Sequence, residues 1–197
     1  MPSILEMDIV LKGSKPKIWR KVLVPDNLTF HALHYVIQFS MGWRNYHLYQ
    51  FTYGQRFHIG VPHPEDFFYL EDSRKLKINT LLAYPNNKIE YWYDFGNDWY
   101  HNVTVKKIHP QEKGQLYPRV IGGKGACPPE DCGGIWGYAE MLNIINNHKD
   151  SVQYKGIMKW IGYEFDPTEF DKDDSNTEYF EDFKNEVKLH DKVLGYK

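Results

Sequence analysis

The chain has 197 residues, of which 42% are hydrophobic, 25% charged and 16% aromatic, the balance of a globular protein and not of a disordered one. Its formal net charge is −2 and its pI about 6.5, so net charge does not support nucleic acid as a partner, because neutralising phosphates takes clustered Lys and Arg. Two cysteines are too few for a disulfide scaffold, and no apolar run approaches the ~18–20 residues needed to span a bilayer. The opening M-P-S-I-L-E-M-D-I-V carries Glu6 and Asp8 and no basic stretch, unlike a secretory leader. The expectation is a soluble cytoplasmic protein with no membrane partner.

Residues 4–11 alternate Leu5, Met7, Ile9 and Leu11 against Glu6 and Asp8, the period of a half-buried strand. I-W-R-K-V-L-V (18–24) reads as its antiparallel partner. The basic run Lys12, Lys15, Lys17, Arg20 and Lys21 reads as a solvated strand edge. The period then changes: Phe30, Leu33, Ile37 and Met41 recur at helical spacing, with Thr29 as N-cap and Gly42 as stop. His31, His34 and Gln38 fall on a second face of that helix and read as its polar flank. H-L-Y-Q-F-T-Y (47–53) is a third strand, and K-I-N-T-L-L-A-Y (77–84) a short helix capped by Asn79.

K-I-E-Y-W-Y-D-F (88–95) and D-W-Y-H-N-V-T-V-K-K-I (98–108) both alternate and form a long hairpin. A two-residue turn would set the apolar row of one strand behind the polar row of the other. A three-residue loop, Gly96 to Asp98, pairs Phe95 with Trp99 and Tyr93 with His101 and unites the apolar rows, so it is preferred. His101 then faces the core and Asp94 the opposite side.

G-G-K-G-A-C-P-P-E-D-C-G-G (122–134) reads as loop. Tyr138, Met141, Leu142 and Ile145 then mark one helix, and Tyr154, Ile157, Met158 and Ile161 a second, capped by Ser151 and stopped by Gly162. Ser175-x-x-Glu178 is a capping box before a third, along Phe180, Phe183 and Val187. The expected architecture is a single α+β domain over 1–197: sheet-rich over 1–121, loop over 122–134, helical over 135–197. An antiparallel, roll-like sheet of about five or six strands carries one early helix, and C-terminal helices pack on it.

Three constellations carry candidate chemistry. Cys127-x4-Cys132 is one zinc knuckle without a second, so a closed shell would have to recruit His101 or His109, or Glu130 or Asp131. Gly122-Gly123-Lys124-Gly125 lacks the order and the Ser or Thr of a phosphate loop. D-F-G-N-D-W-Y-H (94–101) gathers Asp94, Asp98 and His101 around one turn, where a carboxylate and an imidazole can share proton transfer or hold a metal. No G-x-S-x-G, H-E-x-x-H or G-x-G-x-x-G occurs.

Three stretches taken in order, I-W-R-K-V-L-V-P through T-F-H-A-L-H-Y-V-I-Q-F-S-M-G-W and H-L-Y-Q-F, then Y-D-F-G-N-D-W-Y-H-N-V-T-V, then A-C-P-P-E-D-C-G-G-I-W-G-Y-A-E-M-L, resemble the plasmid open-reading-frame-three-like family, named from a root-inducing plasmid. Its members are also labelled TnpR-type passenger proteins of an insertion element. The resemblance runs from about residue 4 to 170. It implies an α+β roll-like fold, a single domain and an association with mobile elements, and brings no established activity. It also implies that P-E-D followed by Gly-Gly is the shared core of the loop, the second cysteine position being another small residue in many members.

The expectation is therefore a binding or interaction module whose surface lies where the 94–101 turn meets the 126–134 loop, with Trp92, Asp94, Asp98, His101, Glu130 and Asp131 as its residues. The alternative is a metal-assisted hydrolase using Asp94, Asp98, His101, Glu130 and Asp131. Cys127, Cys132 and His101 are the candidate metal ligands, zinc the one metal considered, and no other cofactor is expected.

Overall fold

The computed structural model describes residues 2–63, 69–173 and 176. Within them eight strands form one sheet: β1 (Ile4–Leu11), β2 (Trp19–Pro25), β3 (Tyr49–Tyr53), β4 (Phe57–Gly60), β5 (Glu71–Asp72), β6 (Lys88–Tyr93), β7 (Trp99–His109) and β8 (Arg119–Lys124). Three helices accompany it: α1 (Phe30–Met41), α2 (Gly134–Asn147) and α3 (Val152–Ile161). The strand order is β5-β4-β3-β6-β7-β1-β2-β8, and every pair is antiparallel except β4 with β5. No described helix is long and apolar enough to cross a membrane.

The α+β class and the early helix are as expected; the strand count of five or six is corrected to eight. The additional strands β4, β5 and β8 occupy the two ends of the sheet. β4 and β5 are four and two residues long, too short to display a period. β8 reads R-V-I-G-G-K, and its glycines gave no side-chain alternation, so 122–124 belong to the sheet and not to a loop. The helix expected over 77–84 is a single 3-10 turn, Ile78–Thr80, and Asn79 does not cap it. The capping box at Ser175 and Glu178 and the helix after it lie outside the described residues.

α1 begins and ends where its sequence dictates. Thr29 Oγ1 accepts a hydrogen bond from Ala32 N at 3.1 Å, and Gly42 closes the helix in the left-handed region at φ 87°. All its residues but Phe39 are buried, so His31, His34 and Gln38 are interior groups and not a polar flank. They hydrogen-bond to tyrosines rising from the sheet: His31 Nδ1 to Tyr49 Oη at 2.7 Å, His34 Nδ1 to Tyr91 Oη at 2.8 Å, and Gln38 Nε2 to Tyr91 Oη at 2.9 Å. The His34 ring stacks on Tyr49 at 3.7 Å between centroids. Polar atoms buried this way keep their partners, which lets a polar helix face enter the core at little cost.

The hairpin unites its two apolar rows as expected, and His101 is buried, but the register moves by two residues. Tyr93 pairs with Trp99 and Tyr91 with His101, leaving a five-residue turn, 94–98, from which Phe95 is expelled to 42% exposure. Asp94 causes this. At φ 55° its carboxylate Oδ1 accepts from Gly96 N at 3.1 Å, while Oδ2 accepts from Asn97 Nδ2 at 2.6 Å. Asp94 is consequently buried and does not stand out on the far face. The basic run is also corrected at one position: β2 lies between β1 and β8, and Arg20 is buried at 3% exposure.

α2 and α3 lay their expected stripes on the core. Tyr138, Met141, Leu142 and Ile145 are buried, and Tyr154, Ile157, Met158 and Ile161 pack against the same cluster. Each fully buried large side chain there contributes roughly 1.5–3 kcal/mol of transfer free energy.

Candidate functional site

Three loops converge beyond the C-terminal end of α1: residues 43–48, the 94–98 turn, and the 126–133 segment leading into α2. A closed ring of hydrogen bonds shapes the first. Gln38 Nε2 donates to Tyr91 Oη, Tyr91 bonds His34 Nδ1, and His34 Nε2 bonds Asn45 Oδ1 at 2.8 Å. Asn45 N donates back to Gln38 Oε1 at 3.1 Å. An acceptor at Asn45 Oδ1 places the imidazole proton on Nε2, so Nδ1 receives the Tyr91 hydroxyl proton. The ring holds Asn45 in the left-handed region at φ 57°, a conformation Asn tolerates better than most residues. The chain then turns to present Tyr46 and His47.

Glu130 ties the loops together. Its Oε1 accepts from Tyr93 Oη at 2.6 Å and its Oε2 from Arg44 N at 3.0 Å. The same Tyr93 hydroxyl accepts from Tyr46 N at 3.0 Å, and Trp43 Nε1 donates to Pro128 O at 2.9 Å. Burial, and then the Glu130 carboxylate, push the Tyr93 phenol far above its ordinary range, so it stays a hydroxyl. The 94–98 turn joins through Asp94 N, which donates to Leu48 O at 2.9 Å. It also abuts Gly134, where a Cβ would run into the Asn97 carbonyl.

At the junction His47 Nε2 lies 3.5 Å from Asp94 Oδ2 and 3.2 Å from Asp131 Oδ1. One ligand atom from each of the three falls within 4.8 Å of the others, the only such His, Cys, Asp and Glu group among the described residues. Ligands around a tetrahedral ion with bonds of ~2.1 Å stand about 3.4 Å apart, so the spacing suits a divalent cation after small adjustment. It equally suits a protonated His47 bridging two carboxylates.

The expected site residues separate into four groups. Asp94 and Asp131 meet, through His47. Glu130 neither caps α2 nor stands free; it is the clamp just described, and α2 has no side-chain cap. Trp92 and Asp98 lie on the outward side of the hairpin, where Trp92 Nε1 donates to Asp98 Oδ1 at 2.9 Å and Trp92 stacks on Tyr100 at 5.2 Å. His101 is sealed beneath Trp43, 5.3 Å away edge-on. Burial pulls its pKa down to about 3, against the hydrogen bond to the Trp99 carbonyl, so it is neutral and out of solvent reach. The carboxylate–His101 cluster required by the hydrolase reading is therefore not assembled.

Among the described residues the cysteines join no such group either. Burial pushes the Cys127 thiol well above its ordinary range and Cys132 up to about 12, so both are thiols, not thiolates, at neutral pH in the metal-free protein. His47 is the residue sequence reasoning missed, having been read as the first residue of a strand that begins at Tyr49. The available signal was its place in W-R-N-Y-H, a polar loop between a helix stop and a strand, where binding groups concentrate.

A mostly antiparallel sheet with an embedded helix and a His–Asp–Asp junction at one end define an α+β protein with a candidate binding site built on loops. The model of the family described as "Plasmid pRiA4b ORF-3-like protein" matches residues 3–174, and the chain belongs to that family. It is 31% identical over 161 residues to the uncharacterized protein y4hQ of Sinorhizobium fredii, covering 81% of each chain. Its fold matches the crystal structure of MM3350 from Methanosarcina mazei Go1, a protein of unknown function, with a TM-score of 0.80, 36% identity, and coverage of 88% of this chain and 97% of that one.

Proposed function

We propose that the protein is a binding module that holds one divalent cation at His47, Asp94 and Asp131. The observation that supports this reading is the convergence of an imidazole and two carboxylates from three separate loops. Nitrogen and oxygen donors of this kind suit Zn2+ or Mn2+. Asn97 Nδ2, donating to Asp94 Oδ2 at 2.6 Å, would orient that ligand from behind, as outer partners of metal ligands do. Three protein ligands leave a coordination position for a bound molecule.

The test is calorimetric titration of chelator-treated protein with Zn2+ and Mn2+. One equivalent of either metal should bind wild type and Cys132→Ala alike, and binding should be lost in His47→Ala and weakened about 10- to 100-fold in Asn97→Ala. Wild type that takes up neither metal removes the reading. Loss of binding in Cys132→Ala but not in His47→Ala would transfer the site to the cysteines.

A further inference from the structure

Arg20 is the most deeply buried cation of the described chain, and its environment is unusual for one. It is 3% exposed, and among the described residues all its hydrogen bonds go to main-chain carbonyls: Nε to Ser40 O at 2.7 Å, Nη1 to Trp19 O at 2.9 Å and to Lys124 O at 3.2 Å. None of the ion pairs among the described residues involves it, and Nη2 makes no hydrogen bond there. The neighbouring Cys127 thiol is no counter-ion, since burial keeps it protonated. A guanidinium remains charged under any ordinary condition, and a buried charge is normally matched by an opposite one. The helix end at Ser40 offers partial negative charge, which compensates part of the cost only.

Arg20 also lines a cleft of about 980 Å³ between the end of α1, the 126–131 segment and residues 160–171. The Phe170 ring lies over the guanidinium at 4.4 Å and holds it in place. At the cleft's outer parts stand three exposed aromatic rings, Tyr46, Trp160 and Tyr163, at 65%, 52% and 60% exposure. Rings left in water around a concave surface are the apolar component of a ligand site, and the convergent charged donor is its orienting component. Glu130, Asp131, Asp166, Glu169 and Asp171 share the lining with Arg20 and Arg44, an acidic surround that disfavours a polyanion and leaves the guanidinium as the seat for one anionic group.

We infer that this cleft binds a small molecule with a planar body and one carboxylate or phosphate group, the anion seated on Arg20 and the plane against Trp160 and Tyr163. The site goes beyond the cation at His47, which adjoins it through Asp131, and its anion seat on Arg20 uses none of the three cation ligands.

Phenyl phosphate and benzoate, titrated into metal-free full-length protein and followed by tryptophan fluorescence and amide chemical shifts, test it, with benzyl alcohol as the uncharged control. Saturable binding of at least one anion is expected, with benzyl alcohol at least about tenfold weaker, the worth of one hydrogen bond to a charged group. Preference for phenyl phosphate or for benzoate tells the two anion chemistries apart. Arg20→Gln should lose the same factor. Trp160→Ala, at an exposed position that leaves the core intact, should weaken binding several-fold with unchanged circular dichroism, and decides the matter should Arg20→Gln fail to fold. His47→Ala should bind as wild type, which separates this site from the cation site. Equal binding of benzyl alcohol, no saturable binding of either anion, or unchanged affinity in Trp160→Ala overturns the inference.

Discussion

His101 shows how burial sets the chemistry of a single side chain. Its Nδ1 bonds the Trp99 carbonyl at 3.1 Å, while Nε2 is buried without a partner. The folded ring stays neutral until about pH 3, whereas the unfolded chain takes up a proton near 6.5. Between those values the unfolded state binds more protons, so stability falls as pH falls, by up to about 1.4 kcal/mol per pH unit, and is fully present above the upper value. His101→Leu, which removes an unpartnered nitrogen, should remain within about 1.5 kcal/mol of wild type at neutral pH. Its urea midpoint should decline less steeply between about pH 7 and about pH 5 than that of wild type. Equal slopes would show that the ring is not held neutral. The core-facing side of His101 was legible from strand parity alone. The partners of Glu130 were not, because Tyr93 and Arg44 reach it across 37 and 86 residues of sequence, and no local period encodes such a contact.

The element that most governs the site is α1, which touches neither Asp94 nor Asp131 through any hydrogen bond described above. Its caps and its apolar stripe were readable, since Thr29, Gly42 and the 3.6 period act locally. Its polar residues were misleading: His31, His34 and Gln38 look like a solvent face, and only the tyrosines of β3 and β6 show why they are inside. Gln38→Leu removes both the donor to Tyr91 and the acceptor of Asn45 N, leaving a main-chain N–H without its partner. The cost should be about 1–3 kcal/mol, read as a lower urea midpoint with an unchanged slope. Hydrogen exchange should accelerate across 43–48 more than in β6. Uniform acceleration would mean that the ring serves global stability and does not shape the loop.

For the molecule as a whole, the junction depends on two distant segments of chain touching backbone to backbone. Gly134 makes that possible: it sits at φ 67°, and an added Cβ would strike the Asn97 carbonyl. Gly134→Ala should therefore force the 94–98 turn away from the start of α2, separating Asp94 from Asp131. Strain at a left-handed residue adds roughly 1–2 kcal/mol, so a lower melting temperature is expected together with weakened Zn2+ uptake. Destabilisation with Zn2+ affinity intact would show that the two carboxylates do not act as a pair. The class of fold was readable because six of the elements are strongly periodic. The ends of the sheet were not, because β4, β5 and β8 are set by pairing to their neighbours.

The strand order has a further consequence, for how the chain reaches this state. β1 lies in the interior of the sheet between β2 and β7, and its partner in β7 lies about a hundred residues further along, with Ile4 opposite His109. During synthesis the β1–β2 pair can close at once, yet one of its long sides stays unpaired until β7 has left the ribosome. Loop closure over that separation must precede the reward, which places the protein among slowly folding, non-local topologies. Its most aggregation-prone moment comes during translation, when an apolar strand destined for the centre of the sheet is still an edge.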